Sequence, residues 1–351
     1  MSVEARRLWA MTGLWRDVSE IPESLSGSLA SSIGFDEAAE LLASGRAGRV
    51  VASGNGAAYY VAHALWLASL RGPTRAPEIL AVPAGMLAAG QFQWREDDVL
   101  LAVSSSGEFR DVVEAASQLD RVPYVALTAK ADSTLGRRAA ACALYTVRAQ
   151  RAVTHTQVFC GAILTALALW ARISADAGLG TAIEGAPDLV AAAISQAERW
   201  LDELVGEGLA RPRAAITFGS GQGWTAALEA ALLMKEVAAV PAEGAETREG
   251  ATSSMYPLKE GDLVFSLPVL PQDEQLSEAE AVCAGTGATV VRAPSATACD
   301  ERLASLVTFP AACGLSAALA VAAGLDPDHP SWTGSYYATA RSPLSRPPHG
   351  V

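Results

Sequence analysis

The sequence predicts an α/β protein made of two tandem modules, each a doubly wound parallel sheet with helices on both faces. Three observations carry this. Apolar runs of strand length alternate with helical patterns of ten residues or more along most of the chain, as in a parallel sheet covered on both sides. The alternation stops at a Gly- and Ala-rich stretch, residues 176–188, and then starts again. A strand-ending glycine turn, VASGNG near residue 54, returns as TFGSG near residue 219, a duplication far longer than a solenoid repeat. A length of 351 residues agrees with two domains.

Residues 1–25 read as an N-terminal arm whose EIPESL segment turns into a first helix, and the first module spans 26–180. Within it RVVASG (49–54), EILAVPA (78–84), DVLLAVSSSG (98–107), VPYVALTA (122–129) and ALYTV (143–147) are β-like runs, several of them bounded by Gly, Pro or Ser. Helical spacing fills 57–70, 110–119 and 153–174. The 176–188 stretch reads as a linker into an amphipathic helix over 189–204, and the second module spans 187–325. Its strands are expected at 214–221, 262–269, 288–294 and ASLVTFP (304–310), with helices over 225–240, 276–284 and 311–325. The Pro-, Ser- and aromatic-rich end, 326–351, is expected to cross the surface as an irregular tail.

Half of the residues are hydrophobic, which excludes a disordered chain, because that much apolar surface offsets the ordering entropy. The net charge of −12 repels phosphate backbones and anionic lipid, so neither nucleic acid nor a membrane is expected as a partner. Small anions stay open, since backbone N–H groups at a helix start hold a phosphate without any lysine. Five cysteines with no CxxC pair and four histidines without ligand spacing give no disulfide framework and no metal site. No cofactor is implied. The N-terminal stretch is charged throughout and lacks the apolar region of a signal peptide, so a cytoplasmic protein is expected. Of the two longest apolar stretches, 158–170 is too short to span a bilayer. The other, 308–325, is rich in Ala and Gly and reads as a buried helix.

Two turns hold the candidate chemistry. Gly54, Asn55 and Gly56 lie beyond the carboxyl end of a strand, where an open α/β sheet keeps its ligands, although an ordinary tight turn looks the same. The spacing is not that of a dinucleotide fingerprint. Ser104, Ser105 and Ser106, followed by Gly107 and Glu108, run from a buried strand into a helix. Their hydroxyls and the free N–H groups there make a phosphate cradle. A serine helix cap uses the same residues, so this turn alone leaves both readings open.

Together the two turns resemble the sugar isomerase (SIS) family, which binds phosphosugars: VASGNGAAYYVAHAL and AVSSSGEFRDVVEAA look like its glycine turn and its serine loop. The stretch Ala152 to Gln157, with Thr154 and His155, looks like a third family element that opens a hydrophobic helix. In the second half, FGSGQGWTAALEAALLMKEVAAVPAEGAETREG (218–250) is similar to the second SIS module in the isomerase domains of glucosamine-6-phosphate synthases. ALEAALLMKE is the most specific piece, and the resemblance covers roughly residues 20–340. It implies a flavodoxin-like, three-layer α/β/α fold for each module and a protein that forms homodimers.

The resemblance also implies roles. Glu236 matches the family's catalytic glutamate, the base that moves a proton between C1 and C2, while an ion pair on the helix surface is the plainer reading of the same residue. Glu249 aligns with another family glutamate. Family lysine and histidine positions fall on Leu233, Thr252 and approximately Ser335, so the expected acid groups are missing. His155 is the candidate replacement, with a capping contact as its plainer role. Phe109 stands where a threonine hydroxyl is expected. The synthase's glutaminase half is not expected, since no cysteine follows Met1.

The leading expectation is therefore a phosphosugar or aminosugar-phosphate aldose–ketose isomerase, or an isomerising deaminase. Its alternatives are a double-SIS protein that binds or senses a sugar phosphate without chemistry, and an enzyme acting on an unphosphorylated sugar.

Overall fold

Because parallel strands cannot be joined by hairpins, each apolar run must be followed by a crossover, and the helical patterns between the runs supply it. In the computed structural model, which describes residues 7–31, 33–43, 48–73, 75–119, 122–296 and 298–330, the strands form two sheets. The first contains β1 (Arg49–Gly54), β2 (Glu78–Pro83), β3 (Asp98–Val103), β4 (Tyr124–Thr128) and β5 (Ala141–Leu144), in the order β2-β1-β3-β4-β5. The second contains β6 (Ala215–Gly219), β7 (Ala242–Glu246), β8 (Leu263–Ser266) and β9 (Thr289–Arg292), in the order β7-β6-β8-β9. Every pairing in both is parallel.

Ahead of β1 lie α1 (Gly13–Ser19), α2 (Ile21–Ala30) and α3 (Phe35–Ala43), and α4 (Ala57–Ser69) and α5 (Ala84–Ala88) flank β2. On either side of β4 lie α6 (Arg110–Ser117) and α7 (Thr134–Arg138). Between the sheets the chain forms α8 (Gln157–Ser174), α9 (Ala177–Glu184) and α10 (Ala186–Glu207). The second module adds α11 (Trp224–Glu236), α12 (Thr247–Gly250), α13 (Glu274–Ala284), α14 (Ala304–Val307) and α15 (Phe309–Ala322).

Alternate residues of a strand face opposite sides, and both sides are apolar here. In β3, Val99, Leu101 and Val103 point into the central core, while Leu100 and Ala102 point into an outer layer with Val112 and Leu135. In the second sheet Leu263 and Phe265 face the central core, and Ile216, Phe218 and Val264 face an outer layer with Leu276. The central core is continuous between the modules: Leu101 and Leu167 belong to the same cluster as Leu233, Phe265 and Leu319.

Several elements differ from the sequence reading. The 304–310 run, expected as a strand, is helical over Ala304–Val307 and leads into α15, which has Pro310 in its first turn. All of these residues are buried, and an apolar run with no polar face has no period to tell helix from strand. Conversely, β7 was not foreseen in the acidic AEGAE segment, whose Ala, Glu and Gly have low strand propensity. The 176–188 stretch, expected as a linker, forms α9 and starts α10, and Asp176 caps α9 by accepting from Leu179 N–H. Within the expected N-terminal arm the described residues from Leu8 onward are mostly helical, and Trp9, Leu14, Val18, Ile21 and Leu25 are buried in the central core. Among the described residues, two helices are long and apolar enough for a bilayer, Gln157–Ser174 and Glu301–Ala322, and most of each is buried inside the fold, as core helices are.

Candidate active site

From β1 the chain moves to β2 on one side and returns to β3 on the other, so the strand order reverses between β1 and β3. Open α/β sheets bind ligands in the crevice at such a point. The two turns named from the sequence sit on its two sides. Gly54 is needed for close approach, because a Cβ there would lie 2.6 Å from the Ala58 carbonyl carbon. Gly107 has φ +63°, and a side chain would collide with Ser133 Oγ. Asn55 Nδ2 donates to Asp111 Oδ2 at 2.8 Å and ties the glycine turn to the first turn of α6. Glu108 Oε1 accepts from Thr134 N–H at 2.7 Å, which ties the end of the serine turn to α7. Ser106 Oγ accepts from Glu108 N–H at 3.2 Å.

A third wall is the loop before α8, held in place by the N-terminal helices. Buried Asp17 on α1 accepts from Arg151 N–H at 2.7 Å and Ala152 N–H at 2.8 Å, and Asp328 O accepts from Val153 N–H at 3.0 Å. Gln150 Nε2 donates to Thr154 O at 3.0 Å. Thr154 Oγ1 is left buried without a hydrogen-bond partner.

The fourth wall comes from the second module. After β6, Gln222 Nε2 donates to Leu67 O at 2.8 Å and His63 Nδ1 lies 2.8 Å from Thr225 Oγ1, so α11 starts against α4. Gly244 of β7 lets α11 pack close, since a Cβ there would lie 2.6 Å from Ala227 O. α11 thereby crosses the first module's crevice and closes a cavity of about 590 Å³. Asn55 and Gly56 from the first turn, Ser104, Ser105 and Ser106 from the second, Thr154 and His155 from the loop, and Glu236 from α11 all line it.

Two further lining residues on α11 were not named from the sequence: Glu229 and Lys235. Glu229 lies seven residues, two helical turns, before Glu236 and so shares its face of the helix. Its signal in the sequence is a carboxylate inside the apolar run AALEAALLM, within the very segment singled out. Burial pushes Glu236 up to about 7, against the pull of the neighbouring Lys235 ammonium. Glu229 is pushed well above the usual carboxyl range, first by burial and then by Glu236. Its Oε2 is buried with no hydrogen-bond partner. Tyr60, beside both carboxyls, is pushed up to about 12, mainly by burial.

Other nominated residues fall elsewhere. Gly54 shapes the first turn without lining the cavity. Glu249 is exposed on α12, accepts from Ser253 Oγ at 3.1 Å and does not line the cleft. Of the family's missing acid positions, Leu233 is buried in the central core and Thr252 is exposed. Ser335 and the tail aromatics Trp332, Tyr336 and Tyr337 lie outside the described residues. Phe109 lines the cleft. Among the described residues no group of three or more His, Cys, Asp or Glu side chains could hold a metal ion.

No family model matches the chain. Over 246 residues, 68% of this chain, it is 27% identical to a glutamine–fructose-6-phosphate aminotransferase (isomerizing) of Sulfolobus acidocaldarius, and it spans 40% of that protein's length. Among solved structures it is similar to glucosamine-6-phosphate deaminase from Thermotoga maritima, with a TM-score of 0.73, 20% identity, and coverage of 91% of this chain and 98% of that one. It is similar also to the C-terminal domain of glucosamine-fructose-6-phosphate aminotransferase from Francisella tularensis, with a TM-score of 0.78, 17% identity and the same coverage. Two parallel sheets, their helical layers and these likenesses give the chain the fold of the double sugar isomerase (SIS) proteins, as its two turns and its ALEAALLMKE helix led one to expect.

Proposed function

We propose that the chain is a sugar-phosphate aldose–ketose isomerase, or an isomerising deaminase of an aminosugar phosphate, acting in the cytoplasm as a homodimer. One observation carries the reading: the serine turn and Glu236, far apart in sequence and contributed by different modules, line the same cavity. The phosphate lies on Ser104, Ser105 and Ser106 at the start of α6, where hydroxyls and helix N–H groups hold it without a lysine. Glu236 is the base. With its carboxyl pushed up to about 7, it takes and returns a proton efficiently near neutral pH. The names of the similar proteins, glucosamine-6-phosphate deaminase and fructose-6-phosphate aminotransferase, agree with this substrate class.

The test is a thermal-shift screen of hexose and hexosamine 6-phosphates against the free sugars, followed by solvent deuterium exchange at C2. Stabilisation by the phosphates alone, exchange in the parent protein and its loss in Glu236→Gln are expected. Binding with no exchange on any sugar of the panel sinks the enzyme reading. It would leave a second one, a sugar-phosphate sensor, which the burial of Leu233 and the exposure of Thr252 at the family's acid positions favour.

A further inference from the structure

Glu229 is 3% exposed, yet it borders the cavity, and its Oε2 has no hydrogen-bond partner. The titratable groups it faces are Glu236 on its own helix, Tyr60 on α4, Cys160 on α8 and Cys313 on α15. None is a cation. A carboxylate buried there would be an uncompensated charge, so the group keeps its proton, and the neutral acid's O–H needs an acceptor. No protein atom accepts from Oε2, and the open space that the side chain borders is the cavity. Two carboxyls on one helix face, two turns apart and in unequal surroundings, divide acid from base work.

We infer that Glu229 is a proton donor to the substrate, filling the place left by the acid groups absent at Leu233 and Thr252. This rests on the isomerase reading above. In the open-chain aldose, Glu236 removes the C2 proton, the C–H electron pair forms the C1=C2 bond, and the C1 carbonyl oxygen takes the Glu229 proton to give the enediol. The ionised Glu229 then recovers a proton from the C2 hydroxyl as C2=O forms. The C1=C2 pair takes the proton held by Glu236 at C1, which leaves the ketose and both carboxyls restored.

The experiment pairs turnover with infrared difference spectroscopy on the full chain, with glucosamine 6-phosphate and fructose 6-phosphate as probes. Parent minus Glu229→Gln spectra at pH 7.5 (about a neutral working pH) are expected to show a protonated-carboxyl C=O stretch that shifts when a probe is added. Glu229→Gln is expected to lower kcat about 100-fold or more with KM nearly unchanged, and to remove the alkaline limb of the pH profile. Glu229→Asp, which keeps an acid, is expected to recover part of the rate and that limb, and it serves if the Gln variant does not fold. An ionised Glu229 in the parent spectrum overturns the proposal whatever the activity. So does a Glu229→Gln protein as active as the parent beside a dead Glu236→Gln, an outcome that leaves the isomerase reading standing. A parent protein inactive on the whole panel sinks that reading and the donor with it.

Discussion

At the scale of single residues, burial decides what each group can do. Glu236 holds its proton more tightly in the folded chain than in the unfolded one, since its carboxyl is pushed up to about 7. Between the ordinary carboxyl value and about 7 the folded state therefore binds more protons, and its contribution to stability is lost as pH rises through that window. Denaturant midpoints are expected to fall from pH 5 to pH 8, and to fall less steeply in Glu236→Gln (roughly the span over which such carboxyls titrate). The same group as base gives a rate that rises with pH, half-developed at about 7. A rate independent of pH across neutrality would remove Glu236 from the mechanism. Thr154 provides a second check. The residue lines the cleft and its buried Oγ1 has no partner, so Thr154→Val is expected to weaken sugar-phosphate binding with little change in melting temperature.

At the scale of elements, turns and caps aim these groups. Gly107 takes a left-handed conformation between β3 and α6, and Ser133 fills the space where a side chain would go. Gly107→Ala is expected to cost about 1–3 kcal/mol in chemical denaturation and to abolish the phosphate-dependent thermal shift. Retention of that shift would show that the serine turn is not the anion site. The loop bearing Thr154 and His155 depends on α1 in the same way. Asp17 receives two of its N–H groups and pairs with Arg151 at 2.9 Å, so Asp17→Asn is expected to raise KM more than it lowers kcat. A change in kcat alone would mean that the loop does not set binding.

At the scale of the whole molecule, the modules share one core. Leu25 from the N-terminal segment, Leu167 from α8 and Leu319 from α15 belong to a single apolar cluster that also takes in α11. Unfolding followed by far-ultraviolet circular dichroism and by tryptophan fluorescence is therefore expected to show one coincident transition. Leu25→Ala is expected to shift it by about 2–5 kcal/mol, although Leu25 does not line the cavity. Two resolved transitions would show that the modules fold separately. Shared packing also gives α11 its precision: a helix crossing another module's crevice needs a rigid seat.

Much of this was legible in the sequence because it is local. Continuous apolar runs separated by helical spacing dictate parallel sheets covered on both faces, and Gly54 and Gly107 mark turns that only glycine fits. The sequence by itself determined the α/β alternation and the two turns, and its resemblance to a known family singled out Glu236 as the candidate base. It misread residues 304–310, where burial on all sides erases the period, and it missed β7, whose pairing comes from β6 rather than from its own propensity. Tertiary structure alone decided that Glu229 joins the cleft, that Glu249 stays outside it, and that the N-terminal helices hold a wall of the site. The reason is physical: which face of α11 meets water, and which meets the crevice of another module, depends on packing between segments distant in sequence, and no local pattern encodes it.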